Sequence, residues 1–374
     1  MDHIPSKAAL ESVLLVAQEL GQGGSERQLA ATALGLLGGR FRPHVGTLRP
    51  DGFRLRELRE AGVETACFPL ASFASPLALL RAAGGLRGYL RRNQVRIVHS
   101  YDAPGNVLAA PSAYGRARVI TSQRGHRDLS PSWMRPLLRL TDRLAHRVVV
   151  NCLAMKQHLT EDEGVDPRKI RLCYNGIDLE RFHPADRARP EPLRGAGLTI
   201  GVVCALRPEK DLGTLADAFA RAHRERPELR LVLVGSGPER DMVEARLEAA
   251  GARGAAHLEP AVADVTPWLR GIDIFVLPSK SEALSNALME AMACGCVAVA
   301  SDVGGNPELV RDGETGHLFP AGDASALAAI LLRLAGDPAE GQRLAEAARR
   351  RVETEFSLAA AARRMEEIYA EALA

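Results

Sequence analysis

The 374-residue chain holds no apolar stretch long enough to cross a bilayer, so no transmembrane helix is expected. Its start does not read as a secretory leader either. Met1–Leu10 is polar, and the apolar run Val13–Ala17 is too short for a leader's hydrophobic region, so a cytoplasmic chain is expected. An excess of one charge is also missing: 48 Lys+Arg stand against 46 Asp+Glu, a net charge of +2, and nothing global argues for nucleic acid. The six cysteines are scattered. Cys294-Gly-Cys296 resembles a metal or redox pair, but it has one-residue spacing and no second cluster, so these thiols read as small buried hydrophobes. No His/Cys group has metal-ligand spacing, and no metal site is expected.

What is present is an ordinary globular composition, 46% apolar and 25% charged. At roughly 150 residues per domain, the length favours two domains. Short apolar runs alternate with helical patterns almost from end to end. Val13–Ala17, Val45–Leu48, Val95–Ser100, Val119–Ser122, Arg147–Asn151 and Ile170–Tyr174 read as strands with helices between them. His183–Gly197, rich in Pro, Arg and Gly, reads as a linker, after which Leu198–Ala205, Leu229–Val234, Ile274–Pro278 and Val297–Ser301 resume the alternation. This pattern predicts an α/β fold of two doubly wound, Rossmann-like domains, with ligand crevices at the C-terminal strand ends and a shared interdomain cleft. The expected divisions are 1–190, 191–355 and a terminal amphipathic helix, 356–374. Its stripe is Leu358, Ala362, Met365, Ile368 and Tyr369, and with no strand after it the helix must pack on something already built.

One segment carries most of the chemistry. The strand Ile274–Leu277 ends at Pro278, a polar turn Ser279–Asn286 follows, and a helix begins near Asn286, a residue type suited to an N-cap. A helix start after a parallel strand favours an anion, because N–H groups and the helix dipole converge there. Glu282 lies in the turn and Glu290 about one turn into that helix. Carboxylates accept hydrogen bonds from hydroxyl pairs, so one can reach a ribose while the other faces a sugar. For either Glu alone, a first-turn helix charge would be the plainer reading.

Glu282 and Glu290 form an E-x7-E pattern inside LPSKSEALSNALMEAMACGCVAVASDVGGNPELVRDGETGHLFPAGD, Leu277 to Asp323. This segment resembles the retaining glycosyltransferases of family 4, which have the two-domain GT-B fold. Where the family carries a Gly-Phe-Pro-like triplet, this chain has Ala283-Leu284-Ser285. The resemblance implies that Glu282 contacts the donor sugar, Glu290 the ribose hydroxyls, and the backbone around Leu284, Ser285 and Asn286 the diphosphate. It extends to Asn175-Gly176-Ile177-Asp178 and to the Gly235-Ser236-Gly237-Pro238 loop. The terminal helix looks like the family's, which crosses back onto the N-terminal domain.

A departing diphosphate needs fixed positive charge as the sugar becomes oxocarbenium-like. Lys210 resembles the family's phosphate-binding Lys. The family's Arg falls near Ala205 here, and Arg207 is the closest substitute; a solvated loop charge is the alternative for both. Gly21-Gln22-Gly23-Gly24 links the first strand to the first helix, and the resemblance places Gly23 and Gly24 over the donor phosphates. The loop is neither G-x-x-x-x-G-K-S/T nor a clean G-x-G-x-x-G with a later acidic residue, which counts against triphosphatase and dinucleotide readings. No Asp-x-Asp occurs, which fits a metal-independent enzyme without a cofactor.

On the acceptor side, His126 follows the strand Val119–Ser122, with Arg124 or Gln123 as alternatives at that place, and a structural His as the plainer reading. His99 reads as a satisfied strand-end residue. Arg135, Arg139, Arg143 and Arg147 recur every fourth residue opposite Leu137, Leu140 and Leu144, and Arg81, Arg87, Arg91 and Arg92 add to them. Attraction to an anionic lipid-linked acceptor or to a membrane at the inner face competes with a solvated helix face. The expected function is transfer of a sugar from a UDP- or GDP-type donor to a glycan or lipid-linked acceptor in cell-envelope or exopolysaccharide synthesis. The rivals are a dinucleotide-dependent oxidoreductase and a non-catalytic sugar-nucleotide-binding protein.

Overall fold

The structure is a computed structural model that describes residues 10–21, 23–127, 130–185, 189–195 and 197–374. It divides into two compact units: Met1–Gly176 with Leu358–Ala374, and Ile177–Ser357.

Unit 1 is built on β1 (Glu11–Ala17), β2 (Phe41–Thr47), β3 (Glu64–Cys67), β4 (Ile97–Ser100), β5 (Arg118–Gln123), β6 (Arg147–Val150) and β7 (Ile170–Leu172). They form one parallel sheet in the order β3-β2-β1-β4-β5-β6-β7, so the winding reverses between β1 and β4. Its helices are α1 (Gly24–Gly35), α2 (Leu55–Glu60), α3 (Pro76–Arg92), α4 (Ala103–Ala113), α5 (Arg135–Leu144) and α6 (Leu153–Glu161). Val13–Ala17 is apolar without alternation because β1 is covered on both faces, and these five side chains are buried.

Unit 2 has β8 (Thr199–Val203), β9 (Arg230–Val234), β10 (Ala256–Glu259), β11 (Ile274–Leu277), β12 (Val297–Ser301) and β13 (His317–Phe319), in the order β10-β9-β8-β11-β12-β13, again all parallel. Around them lie α7 (Leu212–Glu225), α8 (Arg240–Ala249), α9 (Thr266–Gly271), α10 (Asn286–Ala293), α11 (Asn306–Leu309), α12 (Ala324–Gly336) and α13 (Pro338–Glu355). The winding reverses between β8 and β11, where a doubly wound sheet opens its crevice.

The last helix, α14 (Leu358–Leu373), belongs to unit 1. Met365, Ile368, Tyr369 and Ala372 share a core with Val13, Leu15, Leu29 and Phe41, and the Tyr369 ring meets the Phe41 ring edge-on at 5.4 Å. Gly35 of α1 lets α14 approach closely, since a Cβ there would lie 2.8 Å from the Ala362 methyl.

The first division lies at Gly176–Ile177, not at the 190/191 linker. The Ile177 N–H donates to the Phe356 carbonyl (2.8 Å), and Arg270 of α9 donates to the His183 carbonyl (2.9 Å), so the strip after Gly176 packs with unit 2. The second lies at Ser357–Leu358. Among the described residues no helix is long and apolar enough to cross a membrane.

Candidate functional site

The candidate site is assembled at the C-terminal strand ends of unit 2. β11 runs buried to Leu277, and Pro278 ends its ladder. Ser285 caps α10: its Oγ accepts from the Leu288 N–H (3.3 Å), so Asn286 is the first helical residue and not the cap expected for it. Leu284 and Ser285 are buried, which fixes the backbone of the turn at the helix start.

Two supports hold this turn from below. Ser301, at the end of β12, donates to the Ser279 carbonyl (2.6 Å). Gly304 has φ +54° and presses its backbone against the Glu282 carbonyl; a Cβ would collide with that oxygen. The Gly305 N–H then donates to the Ala283 carbonyl (2.8 Å). The Glu282 carboxylate, nearly buried, accepts from Ser279 Oγ at 2.8 Å and pairs with the Lys210 ammonium.

Lys210 arrives on the short 3-10 turn Pro208–Lys210 after β8. That turn is clasped to the β11 loop. The Lys280 N–H donates to the Glu209 carbonyl (2.9 Å), and Lys280 Nζ lies 3.2 Å from Asp211, which ends the turn in the left-handed region (φ +48°). Behind the turn, Gly235 at φ +150° leaves no room for a Cβ against the Cys204 carbonyl. Burial pushes the Cys204 thiol up to about 12, which suits a packing residue beside Lys210 and Glu282. Glu290, in the second turn of α10, is buried, 2% exposed.

Lys210, Glu282, Leu284, Ser285, Asn286 and Glu290 thus gather on one unit, with Gly235 in the adjacent loop. The Arg207 guanidinium is mostly exposed and lies 3.9 Å from Glu209. Gly23, Gly24 and His126 belong to unit 1. Gly23 is the cap of α1, and a Cβ there would run into the Glu26 carboxylate. The His126 ring lies 4.8 Å from the His158 ring, within unit 1. Gln22 of the glycine loop lies outside the described residues. Cys294 and Cys296 are core thiols, with Cys296 Sγ donating to the Leu269 carbonyl (3.1 Å).

Sequence reading assigned no individual role to Ser279 or Gly304, while His99, read as a satisfied strand-end residue, is one, in a buried cluster of unit 1. There His99 bonds Tyr369 Oη through Nδ1 and Ser122 Oγ through Nε2, both at 2.8 Å. Beside it, Arg124 lies 4.7 Å over the Tyr101 ring and donates to Asn175 Oδ1 (2.7 Å). The Gly304-Gly305 pair, set off from the end of β12 by two residues, was the available signal for Gly304. The partner Tyr369 lies 270 positions from His99, so the pairing itself leaves no local trace.

Two family models match the chain: Glycosyltransferase Family 4 over residues 22–181 and Glycosyl transferases group 1 over residues 197–337. The chain belongs to glycosyltransferase family 4. Among its relatives, a D-inositol 3-phosphate glycosyltransferase of Streptomyces bingchenggensis is 32% identical over 61% of this chain. That alignment spans about half of the relative, 53% of its length. An alpha-maltose-1-phosphate synthase of Mycobacterium tuberculosis is 29% identical over 87% of this chain and 89% of its own. The fold matches a crystal structure of HepE of Anabaena in complex with UDP, with TM-score 0.83, 19% identity, and coverage of 97% of this chain and 100% of that one. The expected two-domain α/β architecture and the expectation of a transferase enzyme stand with this membership. The dinucleotide oxidoreductase reading falls with it.

Proposed function

We propose that this glycosyltransferase moves a sugar, with retention, from a UDP-sugar to a glycan or lipid-linked acceptor of cell-envelope or exopolysaccharide synthesis. The observation that carries this reading is the Glu282 carboxylate, paired with Lys210 and Ser279 at the C-terminal end of β11 and followed by buried Glu290. In the reading, the backbone at Leu284–Asn286 and the α10 dipole receive the diphosphate. Lys210 neutralises charge on the leaving group, the task a divalent metal performs elsewhere, so the reaction is metal-independent. Glu290 accepts from the ribose hydroxyls, and Glu282 accepts from a hydroxyl of the transferred sugar. Attack comes from the face the diphosphate leaves, with the leaving phosphate taking the acceptor's proton. The choice of UDP is supported by the UDP held in HepE.

Thermal unfolding in the presence of UDP, GDP, ADP and NAD tests the donor class, because a ligand bound only by the native state raises the midpoint. UDP is expected to stabilise, and UDP-sugar hydrolysis to follow. Stabilisation by NAD and by no nucleoside diphosphate would sink the reading. Stabilisation by UDP without hydrolysis or transfer of any UDP-sugar would favour a non-catalytic binding protein.

A further inference from the structure

Three side chains compete for one place after β5: Gln123, Arg124 and His126. The structure separates them. Gln123 uses its amide inside its own loop, with Nε2 donating to the Gly125 carbonyl and Oε1 accepting from the Arg127 guanidinium. The His126 ring lies against the His158 ring of α6, which bonds Asp162 through Nδ1 (2.6 Å). Arg124 stands half-buried three residues beyond the β4–β5 pair Ser100 and Thr121, at the C-terminal edge of the unit 1 sheet. That edge is where a doubly wound sheet opens its ligand crevice.

The guanidinium is held in place by neutral groups. It lies 4.7 Å over the ring of Tyr101, whose hydroxyl donates to Thr32 Oγ1 (2.8 Å), and one Nη donates to Asn175 Oδ1 (2.7 Å). Its Nε–H is buried and has no hydrogen-bond partner. A buried donor without an acceptor is destabilising, so a native structure that keeps one calls for a reason.

The charge is unanswered as well. Among the described residues Arg124 makes no ion pair. The four titratable side chains that feel its charge are all uncharged at neutral pH. Burial holds the His99 imidazole well below its usual value, with Arg124 adding to it. Burial also pushes the Tyr101 hydroxyl up to about 12, the Cys173 thiol up to about 11, and the Tyr369 hydroxyl well above its usual value. Asp102, next to Tyr101, turns its carboxylate to the Gln18 and Gly105 N–H groups, both at 2.6 Å. A guanidinium cannot shed its proton, so the charge persists. A charge partly withdrawn from water is costly until an opposite charge meets it. A neutral hydroxyl would supply an acceptor and leave the charge as it stands. A carboxylate or a phosphate supplies both, and its oxygens match the fork of the remaining N–H donors.

We propose that Arg124 is a specificity-determining residue of unit 1 that binds an anionic group, carboxylate or phosphate, on the acceptor. This rests on the transfer reading above and narrows its acceptor: a sugar acid or a sugar phosphate is preferred to a neutral sugar. Tyr101 and Asn175 act through Arg124 as positioning residues.

The test titrates the full chain, with saturating UDP to occupy the donor site, with glucuronate, glucose 6-phosphate and glucose in a calorimeter. At least one anionic sugar should bind about tenfold or more tighter than glucose, as one charge-assisted pair would give, and which one does so tells carboxylate from phosphate. Arg124→Gln should abolish that preference. Arg124→Lys keeps the charge and loses the fork, so it should weaken the anionic sugars several-fold and leave glucose unchanged. Equal affinity for charged and neutral sugars, no binding of either anionic sugar, or a preference that either variant leaves intact would overturn the proposal. Thermal stabilisation by UDP should be the same in all three proteins. Its loss in a variant that still unfolds cooperatively would assign the guanidinium to the donor and overturn the proposal too. Absence of UDP stabilisation in the unmodified chain would instead count against the donor reading alone.

Discussion

The Lys210 ammonium is bound to Glu282 Oε1, the same oxygen that accepts from Ser279 Oγ at 2.8 Å. Both charged side chains are mostly withdrawn from water, so neither pairs at little consequence as a surface ion pair would. If Lys210 serves the diphosphate, the two anions compete for it. Lys210→Ala should therefore raise the Kd for UDP by at least about tenfold and cost about 100-fold in kcat/KM. Glu282→Gln should act differently. It releases Lys210 from a competing carboxylate, so UDP should bind as well as before or better, while sugar transfer falls by about 100-fold. Calorimetry with UDP and turnover on the matching UDP-sugar would check both; weaker UDP binding in Glu282→Gln would place that carboxylate on the nucleotide instead.

How much of this pair was legible follows from distance along the chain. Glu282 and Glu290 sit in one segment, with strand, turn and helix in fixed succession, so their offset could be read from spacing. Lys210 lies in a separate loop, yet it follows β8, the strand hydrogen-bonded beside β11. Arg207 stands two residues past Ala205, the place the resemblance gives the family's Arg, and its guanidinium is mostly exposed. The short edge strands β3 and β10 went unread because half-exposed runs such as ETAC and AHLE carry weak apolar signals. The exposure of Leu137 and Leu140 contradicts the pattern rule itself.

Gly304 makes a prediction independent of any charge. Its φ of +54° and its contact with the Glu282 carbonyl leave no space for a methyl group. Gly304→Ala must move the backbone of the turn that carries Glu282, in addition to the strain of a left-handed residue. We expect a loss of about 1–3 kcal/mol in stability and a loss of transfer larger than the stability change explains. Urea unfolding beside initial rates separates the two; unchanged rates would show that the turn does not depend on this support.

Glu290 offers a cleaner test of the nucleotide half of the site. Gln keeps its shape and removes its charge, so Glu290→Gln should weaken UDP by about tenfold, the loss of one charge-assisted hydrogen bond. Uridine without phosphates should weaken by the same factor if the contact is to ribose. An effect on UDP but not on uridine would rule out the ribose contact.

Removing α14 should damage unit 1 and not unit 2. Met365, Ile368, Tyr369 and Ala372 fill the core beside Phe41 and Leu29. A chain ending at Ser357 would expose that surface and leave His99 without the Tyr369 hydroxyl. Limited proteolysis should then cut first within residues 10–176. Preferential cleavage within residues 177–357 would contradict this division of the core.

His99 should make the protein sensitive to acid. It is fully buried, and desolvation, with Arg124 adding to it, holds the imidazole well below its usual value. Both ring nitrogens are occupied, by Tyr369 and Ser122, and an imidazolium could only donate. The native state therefore binds fewer protons at this site than the unfolded chain, whose His titrates at about 6.5. Stability is complete above that pH and is lost as pH falls below it, with a slope of about 1.4 kcal/mol per pH unit from this one group. His99→Gln cannot titrate. It should lower stability at neutral pH, because Tyr369 and Ser122 lose a well-placed partner, yet reduce the fall between about pH 6 and pH 5 by nearly that slope. Urea midpoints at the two pH values, for both proteins, measure the difference. An equal fall in both would mean that the acid sensitivity originates elsewhere.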